Sequence, residues 1–236
     1  MAGKAPIVVP ALKRHTATVI VAHGLGDSGA GWLFLAENWR RRSKFEHVAF
    51  IFPNAPQRPI TVNMGTRMPG WYDIKDFGDI ATRDEDEAGI NQSRDYFHSL
   101  IDAEVAKGIP ANRVVLGGFS QGGAISLVSG VTYKDRLGGI FGLSCYLLLA
   151  KQLKDLIPAE NPNLPTQIFM GHGDADQVVK YRFGKLSAEA LTNLGYKVDF
   201  RTYKGLVHSA DPEEIDHLES YLDKQIPALG DGKTPL

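Results

Sequence analysis

Gly118-Phe119-Ser120-Gln121-Gly122 separates one apolar run, Arg113 to Gly117, from another, Ala124 to Val131. A strand-like run, a tight turn and a helix-like run form the setting in which G-x-S-x-G presents a serine hydroxyl as a nucleophile. The glycines matter because no Cβ may crowd the neighbouring strand and helix while the serine is held in a strained conformation. A free hydroxyl is a weak nucleophile, so it needs a base, and the base needs an orienting acid. Downstream, His172-Gly173-Asp174-Ala175-Asp176 and Gly205-Leu206-Val207-His208-Ser209 each follow a strand-like run, completing the chain order Ser, Asp, His. His208 is expected to take the Ser120 proton and return it to the leaving group, while an aspartate fixes its tautomer and stabilises the imidazolium. Asp176 is the chosen carboxylate. Asp174 is its competitor, because a short turn after the strand can present either side chain; its other role would be to hold that turn through backbone hydrogen bonds.

A tetrahedral oxyanion needs two donors. The backbone N–H of Gln121, just after the nucleophile, supplies one, and the N–H of Leu25 in His23-Gly24-Leu25-Gly26-Asp27 is expected to supply the other. Each such donor is typically worth ~3 kcal/mol of transition-state stabilisation. His23, His172 and His208 have no metal-ligand spacing and Cys145 is the sole cysteine, so neither a metal site nor a cofactor is expected, and His23 reads as a buttress of its loop. Arg40-Arg41-Arg42-Ser43-Lys44 reads as a solvated helix end and Asp84-Glu85-Asp86-Glu87 as the complement of a helix start.

These groups need a rigid frame. Short apolar runs bounded by turn residues predict strands at 16–22, 48–52, 113–119, 138–143, 166–171 and 198–203. Helical patterns fall at 30–45, 84–107, 121–131, 180–194 and 212–225. The alternation predicts an α/β fold with a mostly parallel central sheet flanked by helices on both faces, and the candidate catalytic residues lie where strands end. Thr82 with Glu85 has capping-box spacing, and Asp211-Pro212-Glu213-Glu214 combines a cap, a proline at the first helical position and acids at the positive dipole end. The stretch 53–81 lacks periodicity and reads as an irregular, substrate-facing segment; 230–236 reads as a frayed tail.

At 236 residues and 43% hydrophobic content the chain is expected to form a single domain, 1–236, and no interstrand segment is long enough for a large cap. A net charge of −1, from 26 basic and 27 acidic residues, gives no global field for nucleic acid. The single cysteine suits a reducing compartment, so the expected location is the cytoplasm, with the nucleus as a second compartment. Met1 to Pro10 has no apolar leader pattern, and no segment approaches the ~18 uninterrupted apolar residues of a membrane span.

Six ordered motifs, spread over nearly the whole chain, resemble the acyl-protein thioesterase and small carboxylesterase family of α/β-hydrolases. They are His23-Gly24-Leu25-Gly26-Asp27 with Gly31-Trp32, Pro53-Asn54-Ala55-Pro56, Met68-Pro69-Gly70-Trp71-Tyr72-Asp73, Gly117 to Gly123 around Ser120, His172 to Asp176, and His208-Ser209. The resemblance implies a Ser120, Asp176, His208 triad, oxyanion donors at Leu25 and Gln121, and removal of palmitoyl and similar chains from protein cysteines, with lysophospholipids or small esters as further substrates. Three departures stand out. Members that are themselves palmitoylated carry an N-terminal cysteine, which Met1-Ala2-Gly3-Lys4 lacks; Gln177 stands where proline often follows the acid; and Tyr146-Leu147-Leu148-Leu149 replaces a tryptophan-and-proline version. Met64, Met68, Trp71 and Leu147 are candidates for an acyl groove, since thioethers and leucines adapt to an alkyl chain, with core packing the alternative for each. Expected partners are S-acylated proteins, with at most transient membrane contact and a monomer or weak homodimer. The rival readings are a short-chain carboxylesterase or lysophospholipase and, outside enzymes, an acyl-chain binding module.

Overall fold

In the computed structural model, which describes residues 4–76, 78 and 84–230, the apolar runs become the strands of one seven-stranded sheet. In chain order the elements are β1 (Ile7–Val9), β2 (Ala17–Ala22), α1 (Leu33–Arg41), β3 (Val48–Phe52), β4 (Gln57–Ile60), β5 (Thr66–Pro69) and α2 (Glu87–Ala106). They continue as β6 (Val114–Phe119), α3 (Gln121–Val131), β7 (Gly139–Leu143), α4 (Leu153–Leu156), β8 (Gln167–Gly173), α5 (Tyr181–Asn193), β9 (Lys197–Tyr203) and α6 (Pro212–Gln225). The strand order is β1-β3-β2-β6-β7-β8-β9, and every pairing except β1 with β3 is parallel.

Parallel neighbours need long crossovers, and the crossover helices cover both faces of the sheet, so β2, β3 and β7 are buried along their whole length. Strand alternation sorts their side chains. Val19 and Val21 join Trp39 of α1 and Leu218 and Leu222 of α6 on one face; Ile20 and Ala22 join Phe97 and Ile101 of α2 and Ile125 of α3 on the other. The chain leaves β2 for β3 on one side and returns to β6 on the other, so the order reverses between β2 and β6. Ligands of open α/β sheets bind beyond the strand carboxyl ends at such a reversal.

Several boundaries differ from expectation. The helix expected from residue 30 begins as a 3₁₀ turn, Gly29–Trp32, before α1, and it ends at Arg41, ahead of Ser43 and Phe45 at φ 54°. The helix expected from residue 84 starts at Glu87, where Asp86 accepts a hydrogen bond from Gly89 N at 3.0 Å; Thr82, the expected cap, lies outside the described residues. Within 53–81, Gln57–Ile60 and Thr66–Pro69 pair as an antiparallel hairpin. Four-residue strands interrupted by Pro59 give too short a period-2 signal to detect, and the three-residue edge strand β1 escaped for the same reason. Of the predicted tail, 231–236 falls outside the described residues.

Candidate active site

β6 runs straight into the turn that carries Ser120. Its φ of 54° and ψ of −122° form a conformation that side chains avoid, of the kind that costs about 1–3 kcal/mol and is held only by its surroundings. The surroundings are tight: a Cβ on Gly118 would come within 2.3 Å of the Ala22 carbonyl oxygen, and one on Gly122 within 2.1 Å. Ser120 N also donates to Leu143 O at 2.8 Å, tying the turn to β7.

Two loops bring the acid and the base. His208, between β9 and α6, places Nε2 2.9 Å from Ser120 Oγ and Nδ1 2.7 Å from Asp176 Oδ2. A carboxylate only accepts, so Nδ1 carries the hydrogen and Nε2 is left to accept from the serine hydroxyl. The Phe119 ring lies 4.8 Å from the imidazole and limits its tilt. Asp176 is buried after β8; its Oδ1 accepts from Val178 N at 2.8 Å and Val179 N at 2.9 Å. His172 stands behind it, with Nε2 donating to Val179 O at 2.8 Å and lying 3.5 Å from Asp176 Oδ2. Burial pushes the Asp176 carboxyl up, but the hydrogen bonds from His172 and His208 outweigh that and hold it well below the ordinary carboxylate range. Asp174 points elsewhere: it is exposed, and its Oδ1 accepts from Gly205 N at 2.6 Å, closing the β8 and β9 ends together.

Leu25 follows β2 on a loop braced from below. His23 is fully buried, donates from Nδ1 to Gly24 O at 2.7 Å and accepts from Ala55 N at Nε2 at 3.0 Å. Burial lowers its basicity, which suits a neutral ring that must accept. Trp71 Nε1 donates to His23 O at 2.8 Å, and Gly26, at φ 80°, donates to Pro69 O at 2.8 Å. Gln121 opens α3, so its N–H is among the donors a helix start leaves without an intrahelical partner. Its side chain is clamped, accepting from Trp71 N at 2.8 Å and donating to Tyr72 O at 2.7 Å.

Leu25, Ser120, Gln121 and His208 share the lining of a cavity of about 330 Å³, whose apolar wall is Trp32, Ile74, Phe119, Tyr146, Val179 and Phe183, with Val178 at the rim. None of the four residues expected to line an acyl groove is part of the lining of this cavity. Met64 is 97% exposed at the hairpin tip, Met68 Sδ accepts from Asn63 Nδ2 at 3.4 Å, Trp71 is fully buried, and buried Leu147 donates its N–H to Ser187 Oγ at 2.7 Å. Trp71 and Leu147 belong to the core, and Met68 Sδ lies beside Gly26, 3.9 Å from where a Cβ there would stand. Most of the true wall adjoins motif residues: Phe119 precedes Ser120, and Val178 and Val179 follow Asp176 by two and three places. That adjacency was the available signal. Among the described residues no group of three or more His, Cys, Asp and Glu side chains is arranged to hold a metal ion, and no helix is long and apolar enough to cross a membrane.

Comparison with known proteins adds an independent line. Residues 3–226 match the phospholipase/carboxylesterase family model. An acyl-protein thioesterase 1 of Emericella nidulans is 59% identical over 98% of this chain and 99% of its own length, and one of Gibberella zeae is 54% identical over 94% and 96%. Among solved structures, acyl-protein thioesterase 2 of Zea mays superposes with a TM-score of 0.82 at 30% identity, covering 94% of this chain and 98% of that one.

Proposed function

The chain belongs to the phospholipase/carboxylesterase family and groups with its acyl-protein thioesterases, and from that premise we propose that Ser120, His208 and Asp176 carry its reaction. The protein is an α/β-hydrolase that cleaves fatty-acyl thioesters on S-acylated proteins. Ser120 Oγ attacks the thioester carbonyl carbon as its proton passes to His208 Nε2, and the N–H groups of Leu25 and Gln121 receive the oxyanion. Collapse breaks the carbon–sulfur bond, and the departing cysteine thiolate takes the proton from His208 Nε2, leaving an acyl-serine and a neutral imidazole. Water, deprotonated by His208, then attacks the acyl carbon, Ser120 regains its proton, and the fatty acid departs. Asp176 remains ionised throughout and holds the imidazole in the required tautomer.

The observation that carries this reading is the continuous hydrogen-bond path from Asp176 through His208 to Ser120 Oγ, opening onto an apolar cavity. A pure acyl-chain binder has no use for such a path. The working protein is a single hydrolase unit spanning 1–236, a monomer or weak homodimer acting in the cytoplasm and nucleus, with lysophospholipids and small esters as secondary substrates. Thiol release from a palmitoylated peptide is expected from the wild type and absent from Ser120→Ala. Turnover retained by that variant would remove Ser120 from the mechanism.

A further inference from the structure

We propose that a second cavity, lined by Arg58, Tyr96 and neighbouring residues, binds a small organic anion: a phosphate or carboxylate on a flat apolar body. The cavity has a volume of about 340 Å³ and shares no lining residue with the one at Ser120. Lys4 and Arg58 contribute two cations to its lining, and no carboxylate does. Arg58 is the telling residue. Its side chain is only 16% exposed, its Nε is buried without a hydrogen-bond partner, and its Nη1 stands 3.5 Å from Asp86 Oδ2. Asp86 is itself occupied, accepting from Gly89 N at 3.0 Å and Asp73 N at 2.9 Å. A guanidinium is built to hold an oxyanion with paired N–H groups, and this side chain, part of it still exposed, lines the cavity.

The rest of the wall defines the body of the ligand. Tyr96, partly exposed, stacks on the fully buried Trp71 with ring centroids 6.3 Å apart and planes 20° apart, so the Tyr96 ring is the flat surface beside the cation. Gln92 is exposed at the mouth, on the same helix as Tyr96. Asn54 is fixed in place, accepting from Gly29 N and donating to Ala5 O. Trp71 also connects the two sites, since its Nε1 holds His23 O and its backbone N holds the Gln121 side chain. A ligand against Tyr96 therefore lies one ring away from the support of both oxyanion donors, although its binding does not depend on the hydrolytic assignment.

Phenyl phosphate is the probe, titrated into the intact protein at constant ionic strength and read by calorimetry and tryptophan fluorescence, with benzyl alcohol as the neutral control. The wild type should bind phenyl phosphate saturably at millimolar concentrations or below, and benzyl alcohol much more weakly. Arg58→Gln should weaken binding at least about tenfold, the loss expected for a charge-assisted hydrogen bond. Gln92→Trp, a change on an exposed helix face, should fill the mouth and weaken binding with every charge retained; it serves as the test if Arg58→Gln melts early. Absence of saturable binding, affinity equal to that for benzyl alcohol, or affinity unchanged in a folded variant would overturn the proposal.

Discussion

At the residue scale the proposed mechanism gives the His208–Asp176 pair unequal importance for two leaving groups. A cysteine thiolate, with a conjugate-acid pKa of about 8.5, departs with little help, whereas an alkoxide needs the proton that His208 carries. Asp176→Asn removes the carboxylate that orders the imidazole, leaving Nδ1 without its charged acceptor. We expect kcat/KM for an oxyester to fall at least about tenfold further than for a thioester of the same acyl chain. Stopped-flow assays on the matched pair measure this, and equal losses would show that proton donation does not discriminate between them.

Among elements, the segment after β5 and the loop after β7 meet where Tyr72 and Tyr146 place their buried hydroxyls 2.8 Å apart. Tyr146 also lines the Ser120 cavity, so this pair forms part of its wall. An apolar cavity of about 150 Å³ accommodates benzene, so by proportion 330 Å³ holds about a dozen carbons, fewer than a palmitoyl chain has. Tyr146→Ala should deepen the cavity and shift preference toward longer chains, each newly covered methylene adding about 0.8 kcal/mol of binding. The ratio of kcat/KM for sixteen- and eight-carbon thioesters reports the shift; an unchanged ratio would place the chain's far end elsewhere. The elbow allows less change. Gly122→Ala drives a methyl into the Ala22 carbonyl and should cost about 1–3 kcal/mol or more in urea unfolding, because the backbones of β2 and α3 are in contact.

For the whole molecule, rising pH acts through a carboxyl outside the proposed triad. Glu214 of α6 is fully buried, neither of its oxygens has a hydrogen-bond partner, and a Cβ on Gly171 of β8 would come within 2.3 Å of Oε1. Burial, reinforced by the Asp211 charge, pushes its pKa from an ordinary 4.5 up to about 8, and Tyr203 and Cys145 are the other titratable groups that interact with it. The folded protein keeps the proton that the unfolded chain has lost above 4.5, so this contribution to stability is complete below that pH. It declines as pH rises and is gone above about 8. Over that window the slope is at most about 1.4 kcal/mol per pH unit. Glu214→Gln should flatten this part of the stability profile in denaturant titrations from pH 5 to 9. A wild-type slope retained in the variant would assign the dependence to another group.

Local features were legible before folding was considered: six of the seven central-sheet strands, the serine turn between its glycines, the Asp211-Pro212 helix start, and the order Ser, Asp, His. These features depend on side-chain periodicity and short-range backbone geometry, which neighbouring residues encode. Tertiary structure decided what depends on distant segments. Asp176 rather than Asp174 reaches His208, although both leave the same strand, because Val178 and Val179 turn one carboxylate inward while Gly205 holds the other at the surface. The cavity wall comes from segments far apart in the chain, and neither Met64 nor Met68 of the hairpin is part of it. Ser120 and His208, 88 residues apart in sequence, meet because parallel strands deliver their carboxyl ends to one edge of the sheet. Residue types and their order supplied the reagents; which of them touch was settled by long-range packing.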